Sequence, residues 1–257
     1  ITTLDDYRAT LEFKPALFLK IHRSNFTVSG FTDEVDLKSL IKLGAEYNIP
    51  VINDLGSGVF IDTSRFAGYS EPTVQSSVGD GAALTCFSGD KLLGGVQSGL
   101  IVGEKEHIRQ LKRNPIYRTL RVDKITFSVL EELLGYYLDG SWADKIKLWK
   151  LAGIKDADLY ERGRRLLRDI DAGDKIILEG SRCEMGGGSL PEISIPSVAL
   201  VFRTKTSPKK LAELFRASDP PVIGRIENDA FMLDLRTIDE SERNLLVSII
   251  KNIINQI

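Results

Sequence analysis

Phe87–Gly99, FSGDKLLGGVQSG, is the stretch on which the reading of the fold turns. It is entered from Ala82–Phe87 (AALTCF), a short apolar run of the kind that makes a buried strand, and it leads into Ser98–Val102 (SGLIV), a second such run. Between the two stands Lys91, with Ser88 three positions before it and Gly94, Gly95 and Gly99 after it. Glycines at such places leave room for a ligand to approach the backbone. A lone lysine after a strand is ordinarily a solvated loop residue. A lysine held in a walled turn near other cations sheds its proton near neutral pH and becomes a nucleophile toward carbonyls.

Working outward, the next strand and turn are Ile49–Gly58, IPVINDLGSG, in which Asp54 follows an apolar run. An aspartate shortly before glycine is a common turn or capping residue. Its other use is to face the cationic nitrogen of a pyridine ring, the partner that makes pyridoxal phosphate an electron sink. Strand–Asp followed about 30–40 residues later by strand–Lys is the order that such enzymes show, and the two halves together favour it. In an open α/β sheet ligands sit at the carboxyl ends of strands. Four such ends are therefore read together: His22 with Ser24 and Asn25, Asp54 with Ser57, Ser88 with Asp90 and Lys91, and the glycines around Gln97.

Around this centre the first half alternates. Strands are expected over Ala16–His22, from Val51 to Gly56, over Ala82–Phe87 and over Ser98–Val102, and helices over Asp33–Asn48, Glu104–Lys112 and Lys124–Leu138. Strands separated by helices imply an α/β fold with a mostly parallel, doubly wound sheet. Beyond Trp142 the pattern changes. Helices are expected over Ala143–Leu151, Asp156–Ile170, Ser207–Ala217 and Glu240–Ile254. Strands are expected over Lys175–Glu179 and Ile195–Arg203, with a hairpin of Val222–Ile226 and Phe231–Leu235 turning at Asn228-Asp229. We therefore expect a large domain over 1–140 and a smaller α+β domain over 141–257.

Composition sets the bounds. The chain has 257 residues, 36 acidic and 34 basic, for a formal net charge of −2, which excludes a histone-like basic protein but leaves room for a local basic patch. With 42% hydrophobic and 27% charged residues it is an ordinary globular sequence. Two cysteines cannot form a disulfide framework, so the chain reads as a reduced, cytoplasmic protein, and two histidines argue against a histidine-rich metal site. No apolar run reaches the roughly 18 residues of a membrane span. The opening ITTLDDYRATLEF is no signal peptide. Cys86 reads as inert core and Cys183 as a loop thiol. Trp142 and Trp149 read as one helix side, and Lys105, Arg109, Lys112, Arg113, Arg118 and Arg121 as a solvated stripe before an RNA contact. Gly186–Gly188 is followed by no Lys-Ser/Thr, so a nucleotide-triphosphate loop is disfavoured.

At the level of whole motifs the sequence resembles the bacterial selenocysteine synthases, the L-seryl-tRNA(Sec) selenium transferases. The stretches that carry the resemblance are KIHRSNF (20–26), PVINDLGSG (50–58), FSGDKLLGG (87–95), LRVDKIT (120–126), GGGSLPE (186–192) and PPVIGRIENDAFMLDLR (220–236), in the family's order along nearly the whole chain. One departure stands beside the lysine: Val96-Gln97-Ser98-Gly99 replaces the family's usual Pro followed by Gln-Ala-Gly.

The resemblance implies a partial fold-type I large domain followed by a small C-terminal α+β domain. It implies that Lys91 carries pyridoxal 5'-phosphate and that Asp54 partners its ring nitrogen. Asn25 or His22 would contact the ring or its phenolic oxygen, and Ser88 its phosphate. Arg118 and Arg121 would bind the anionic selenium donor, since guanidinium pairs with two oxygens of a tetrahedral anion, and Asp90 would orient Lys91. The implied reaction is β-elimination of hydroxide from L-seryl-tRNA(Sec), through an aminoacrylyl intermediate, and addition of selenium from selenophosphate. The implied assembly is a decamer, a pentamer of dimers. The chain is expected to be a C-terminal portion without the family's N-terminal domain and the start of its large domain, and on its own to bind cofactor poorly and make no selenocysteine. Two other readings stand beside this one: a pyridoxal-phosphate lyase acting on a small amino sugar acid, and a catalytically dead assembly module.

Overall fold

A computed structural model describes residues 2–22, 30, 34–68, 70–185 and 194–257. The chain falls into two compact units, one made mainly of Ile1–Lys150 and the other of Leu151–Cys183 with Ser194–Ile257.

The first unit opens with helix α1 (Leu4–Ala9), started by a capping box of Thr3 and Asp6. Its sheet contains β1 (Phe18–Ile21), β2 (Val51–Gly56), β3 (Leu84–Ser88) and β4 (Gly99–Gly103), in the order β1-β2-β3-β4. The first three strands are parallel and β4 is antiparallel to β3. Parallel neighbours need crossover connections. Helix α2 (Leu37–Tyr47) makes the first. Asp36 caps it through Ser39 N–H, and Asn48, in the left-handed region at φ 55°, ends it. Helices α3 (Ser64–Ala67) and α4 (Val74–Asp80) lie in the second crossover. Thr73 caps α4, and Gly81 at φ 102° closes it.

The parallel strands show why their faces differ. Val51, Asn53 and Leu55 are buried, while Ile52 and Asp54 between them are half-buried, the period of two that a strand imposes. Asn53 Nδ2 donates to Ser77 Oγ of α4 (2.8 Å), and Ser77 Oγ shares a hydrogen bond with Thr85 Oγ1 (2.7 Å). The face bearing Asn53 and Thr85 is therefore covered by α4, and Asp54 and Cys86 belong to the opposite face.

After β4 come the exposed helices α5 (Lys105–Arg113) and α6 (Pro115–Leu120), then α7 (Lys124–Leu138), capped by Asp123. The single helix expected over 143–151 is two, α8 (Trp142–Lys145) and α9 (Lys147–Ala152). Between them Ile146 adopts an extended conformation (φ −87°, ψ 114°) that breaks the ladder.

In the second unit, α10 (Asp156–Ile170), α11 (Pro208–Arg216) and α12 (Arg243–Ile254) accompany the strands β5 (Ile176–Glu184), β6 (Ser194–Phe202), β7 (Arg225–Glu227) and β8 (Ala230–Asp234), in the order β5-β6-β8-β7. Leu166 of α10, Leu200 of β6, Phe215 of α11, Leu233 of β8 and Ile250 of α12 meet in its main core. The hairpin turns at Asn228 (φ 48°) and Asp229 (φ 55°), both left-handed, the conformation that suits the twist of paired strands. The last helix begins later than expected, after a 3-10 turn over Glu240–Glu242. Cys183 lies in strand β5, not in a loop.

Candidate functional site

The carboxyl ends of β2 and β3 run into two turns that are bonded to each other. The register of β2 against β3 shifts between Asp54 and Gly56, a bulge that bends the strand out into the Ser57 turn. There Leu92 N–H donates to the Ser57 carbonyl (2.9 Å). One hydrogen bond thus ties the residue after Lys91 to the turn that follows Asp54. Gly58, at φ 69°, has no room for a side chain, since a Cβ there would lie 2.5 Å from the Ser88 carbonyl.

The lysine turn is held from within. Gly94 N–H donates to the Lys91 carbonyl (3.0 Å), Gly95 N–H to Gly89 (2.8 Å) and Gly89 N–H to Ser98 (2.9 Å). Leu92 and Leu93 are fully buried and anchor the turn, with Lys91 half-buried and Asp90 exposed. Tyr137 Oη donates to the Leu93 carbonyl (2.8 Å) and accepts from Trp149 Nε1 (2.7 Å). Burial pushes the Tyr137 hydroxyl up to about 12, against the smaller opposing effect of the Trp149 bond, so it remains a donor to this turn.

Asp54 stands in one row with Ile21 of β1 and Cys86 of β3. Burial raises the Cys86 thiol above its ordinary range, and the negative charge of Asp54 raises it further. Cys86 is half-buried rather than core, and it shares its face with the Asp54 charge. Ser57 Oγ is fully buried and finds no hydrogen-bond partner among the described residues. His22 hangs from the same strand as Asp54: its backbone N–H donates to the Asp54 carbonyl (2.8 Å). Its ring Nε2 meets Glu71 Oε1 at 2.9 Å. Nothing in the sequence singled out Glu71, a lone glutamate in an irregular loop. Ser88 is half-buried at the end of β3, and Asn25 lies outside the described residues.

Other expectations fall differently. The space beside Gly94 and Gly95 serves packing rather than a ligand. A Cβ on Gly94 would lie 2.6 Å from Ile146 Cγ2, and one on Gly95 2.5 Å from Leu133 Cδ2, whereas Gly99 has nothing within 4 Å. Arg118 and Arg121 are exposed, on and just after α6, and the Arg121 guanidinium lies 5.9 Å from the Phe127 ring centre. The basic residues of α5 are exposed as well, and that helix buries none of its side chains. Trp142 and Trp149 sit on separate short helices, yet their rings meet edge to face (centroids 6.2 Å apart, 85°), with Trp149 buried. Gly186–Gly188 lies outside the described residues. No described helix is long and apolar enough to cross a membrane, and no metal-binding cluster of His, Cys, Asp and Glu occurs among the described residues.

The profile of the family described as L-seryl-tRNA selenium transferase matches residues 1–239. The L-seryl-tRNA(Sec) selenium transferase of Alkaliphilus oremlandii is 39% identical over 259 residues, covering 98% of this chain and 55% of that protein. Its counterpart from Mannheimia succiniciproducens is 41% identical over 252 residues, covering 95% of this chain and 54% of the other. The chain thus spans about half the length of the relatives it matches. Among solved structures, D-glucosaminate-6-phosphate ammonia-lyase superposes with a TM-score of 0.60 at 17% identity, covering 95% of this chain and 58% of that one. At that identity the likeness is one of fold, and it agrees with the α/β architecture expected.

Proposed function

We propose, from the premise that this chain belongs to the L-seryl-tRNA selenium transferase family, that it carries the lysine segment of a pyridoxal-phosphate enzyme. That enzyme replaces the hydroxyl of seryl-tRNA(Sec) with selenium from selenophosphate. The observation that carries the reading is the bonded pair of turns, in which Ser57 C=O accepts from Leu92 N–H beside Lys91. The donor set fits the cofactor: an amine for an aldehyde, a carboxylate for a protonated ring nitrogen, and in Ser57 Oγ a buried hydroxyl with no partner among the described residues.

Pyridoxal phosphate, when bound, supplies an electron sink that makes the seryl Cα–H acidic and lets the β-hydroxyl leave. The remaining roles fall to the chain. Lys91 Nζ is the group that holds the aldehyde carbon, and once free it takes and returns the Cα proton. The Asp54 carboxylate keeps the proton on the ring nitrogen, its half-buried position strengthening that charge pair. His22, Asn25 and Ser88 orient the ring and its phosphate, and Asp90 the lysine. Arg118 and Arg121 offer planar forks to the oxygens of selenophosphate. The bases of α5, a helix that buries no side chain, would meet tRNA phosphates. A homo-oligomer, a decamer in the family's pattern, belongs to the same reading.

Borohydride reduction in the presence of pyridoxal phosphate, followed by peptide mapping, tests this directly. The expected result is one dominant adduct, at Lys91, that disappears in Lys91→Ala. Adducts spread over the exposed lysines in proportion to accessibility would overturn the site and leave the assembly-module reading. An adduct at Lys91 together with ammonia release from a phosphorylated amino sugar acid, and no spectral response to seryl-tRNA(Sec), would move the chain to the lyase reading.

A further inference from the structure

Glu71 is a charged side chain sunk at the carboxyl edge of the first sheet that none of the roles above employs. Its side chain is 2% exposed, and that of its partner His22 14%. A carboxylate withdrawn from water costs several kcal/mol unless it is paired, so a loop that buries one does so around a partner. The loop is built independently of His22. Glu71 N–H donates to Thr63 Oγ1 (2.9 Å). Asp62 accepts from Ser64 N–H (3.0 Å) and Ser70 Oγ (3.0 Å), and Val74 N–H returns to the Val59 carbonyl (3.0 Å). These hydrogen bonds hold the Asp62 carboxyl below the usual range, which keeps it an acceptor for the loop. On the other side, His22 is fixed by its own N–H to the carbonyl of Asp54.

We infer that Glu71 is a positioning residue: it holds the imidazole of His22 by the Nε2–H edge, so that the ring meets a bound ligand only through Nδ1. The chemistry follows from the inventory of protons. An ionised carboxylate has none, so the 2.9 Å contact is a hydrogen bond only if Nε2 carries the hydrogen. In the neutral ring Nδ1 is then an acceptor, and its direction is set by a carboxylate that is itself buried. Carboxylates behind histidines elsewhere fix tautomer and ring angle in the same way. The inference rests on the reading that this sheet edge binds pyridoxal phosphate.

The test exploits the presence of two histidines, His22 and His107. Long-range proton–nitrogen spectra of histidine-labelled protein give two ring patterns, with His107 as the internal reference. The expected result is Nε2–H for neutral His22, a mixed population in Glu71→Ala, and restoration in Glu71→Gln, whose amide oxygen accepts the same hydrogen bond. An Nδ1–H tautomer for wild-type His22 overturns the inference. A parallel titration follows borohydride-trapped pyridoxal phosphate at Lys91. Losing one hydrogen bond to an oriented ring weakens binding about tenfold, so Glu71→Ala and His22→Ala are each expected to do so, and the double variant no further. If Lys91 is trapped but Glu71→Ala binds as the wild type does, the inference fails while the proposed function stands. If Lys91 is never trapped, the function fails and the tautomer is judged alone. Should Glu71→Ala not fold, the wild-type tautomer and the His22→Ala affinity decide.

Discussion

Both units bury polar side chains, but at different places: the second within its core, the first also at the carboxyl ends of its parallel strands. In the second unit Arg236 is almost wholly buried. Its Nη1 donates to the carbonyls of Leu151 (2.8 Å), Ala152 (3.2 Å) and Ile154 (2.8 Å), and its Nη2 to Pro196 (2.6 Å) and Asp156 Oδ1 (3.3 Å). Asp234 accepts from Ser197 Oγ (2.5 Å), Arg225 Nη1 (2.9 Å) and Arg236 N–H (3.1 Å). In the first unit, the turn after Asp54 leaves Ser57 Oγ without a partner among the described residues. The same kinds of residue are present in both. The Arg236 network ties Asp234 and the Leu151–Asp156 segment together, yet Arg236 Nε itself has no partner among the described residues. Unpartnered buried atoms thus occur in both units, Arg236 Nε in one and Asn53 Oδ1 and Ser57 Oγ in the other; what sets Ser57 apart is its turn, which is bonded to the residue after the half-buried Lys91. Neither burial nor an unpartnered atom by itself marks a site; a place at the carboxyl ends of β2 and β3 says more.

The strongest way to break that contrast is Arg236→Ala. Removing a buried charge and leaving its acceptors unpaired costs about 3–5 kcal/mol, read as a fall in stability by chemical denaturation. Trapping at Lys91 in the protein that remains folded is expected to persist. A loss below about 1 kcal/mol would mean that the arginine is not the keystone its contacts suggest.

The next test concerns glycines, where the sequence misled. Ala for Gly94 forces a left-handed φ of 79° on an L residue and sets a Cβ against Ile146, whereas Gly99 is clear on all sides. We expect Gly94→Ala to lose about 1–3 kcal/mol, as overpacked or strained positions do, and Gly99→Ala to stay within about 0.5 kcal/mol. Equal effects would restore the idea that the space at Gly94 is a ligand's.

That misreading marks the border of what was legible. Helices α7 and α10 span the residues that their apolar spacing indicated, since long amphipathic periods survive tertiary packing. Asp54 and Lys91 stood out in the sequence because each comes after an apolar run; the structure puts Asp54 within β2 and Lys91 in the turn after β3. The short helices α1, α4 and α6 carry too few turns to show a period, and the break at Ile146 depends on packing that no local pattern records. A glycine is the same letter whether its missing Cβ makes way for a ligand or for Leu133. Glu71 was invisible for a related reason: a loop glutamate is ordinarily solvated, and only the turn of Asp62, Thr63 and Ser70 sinks it.

The smallest expected effect sharpens the comparison most cleanly, because each unit holds one cysteine near one carboxylate. Both thiols are raised first by burial. Asp54 raises Cys86 further with nothing acting against it. Asp234 raises Cys183, but Arg236, Arg225 and a hydrogen bond from Ser197 work in the opposite direction. A raised pKa means less thiolate at a given pH, and the thiolate is the species that is alkylated. Asp54→Asn removes a charge that disfavours the Cys86 thiolate, so its pKa falls and, at fixed mildly alkaline pH, its alkylation accelerates, while Cys183 keeps its rate. Mass-spectrometric alkylation profiles against pH give both sites in one experiment. If Cys86 does not respond, Asp54 does not direct its charge onto the face opposite α4. The carboxylate would then be turned away from the ring nitrogen it is proposed to hold.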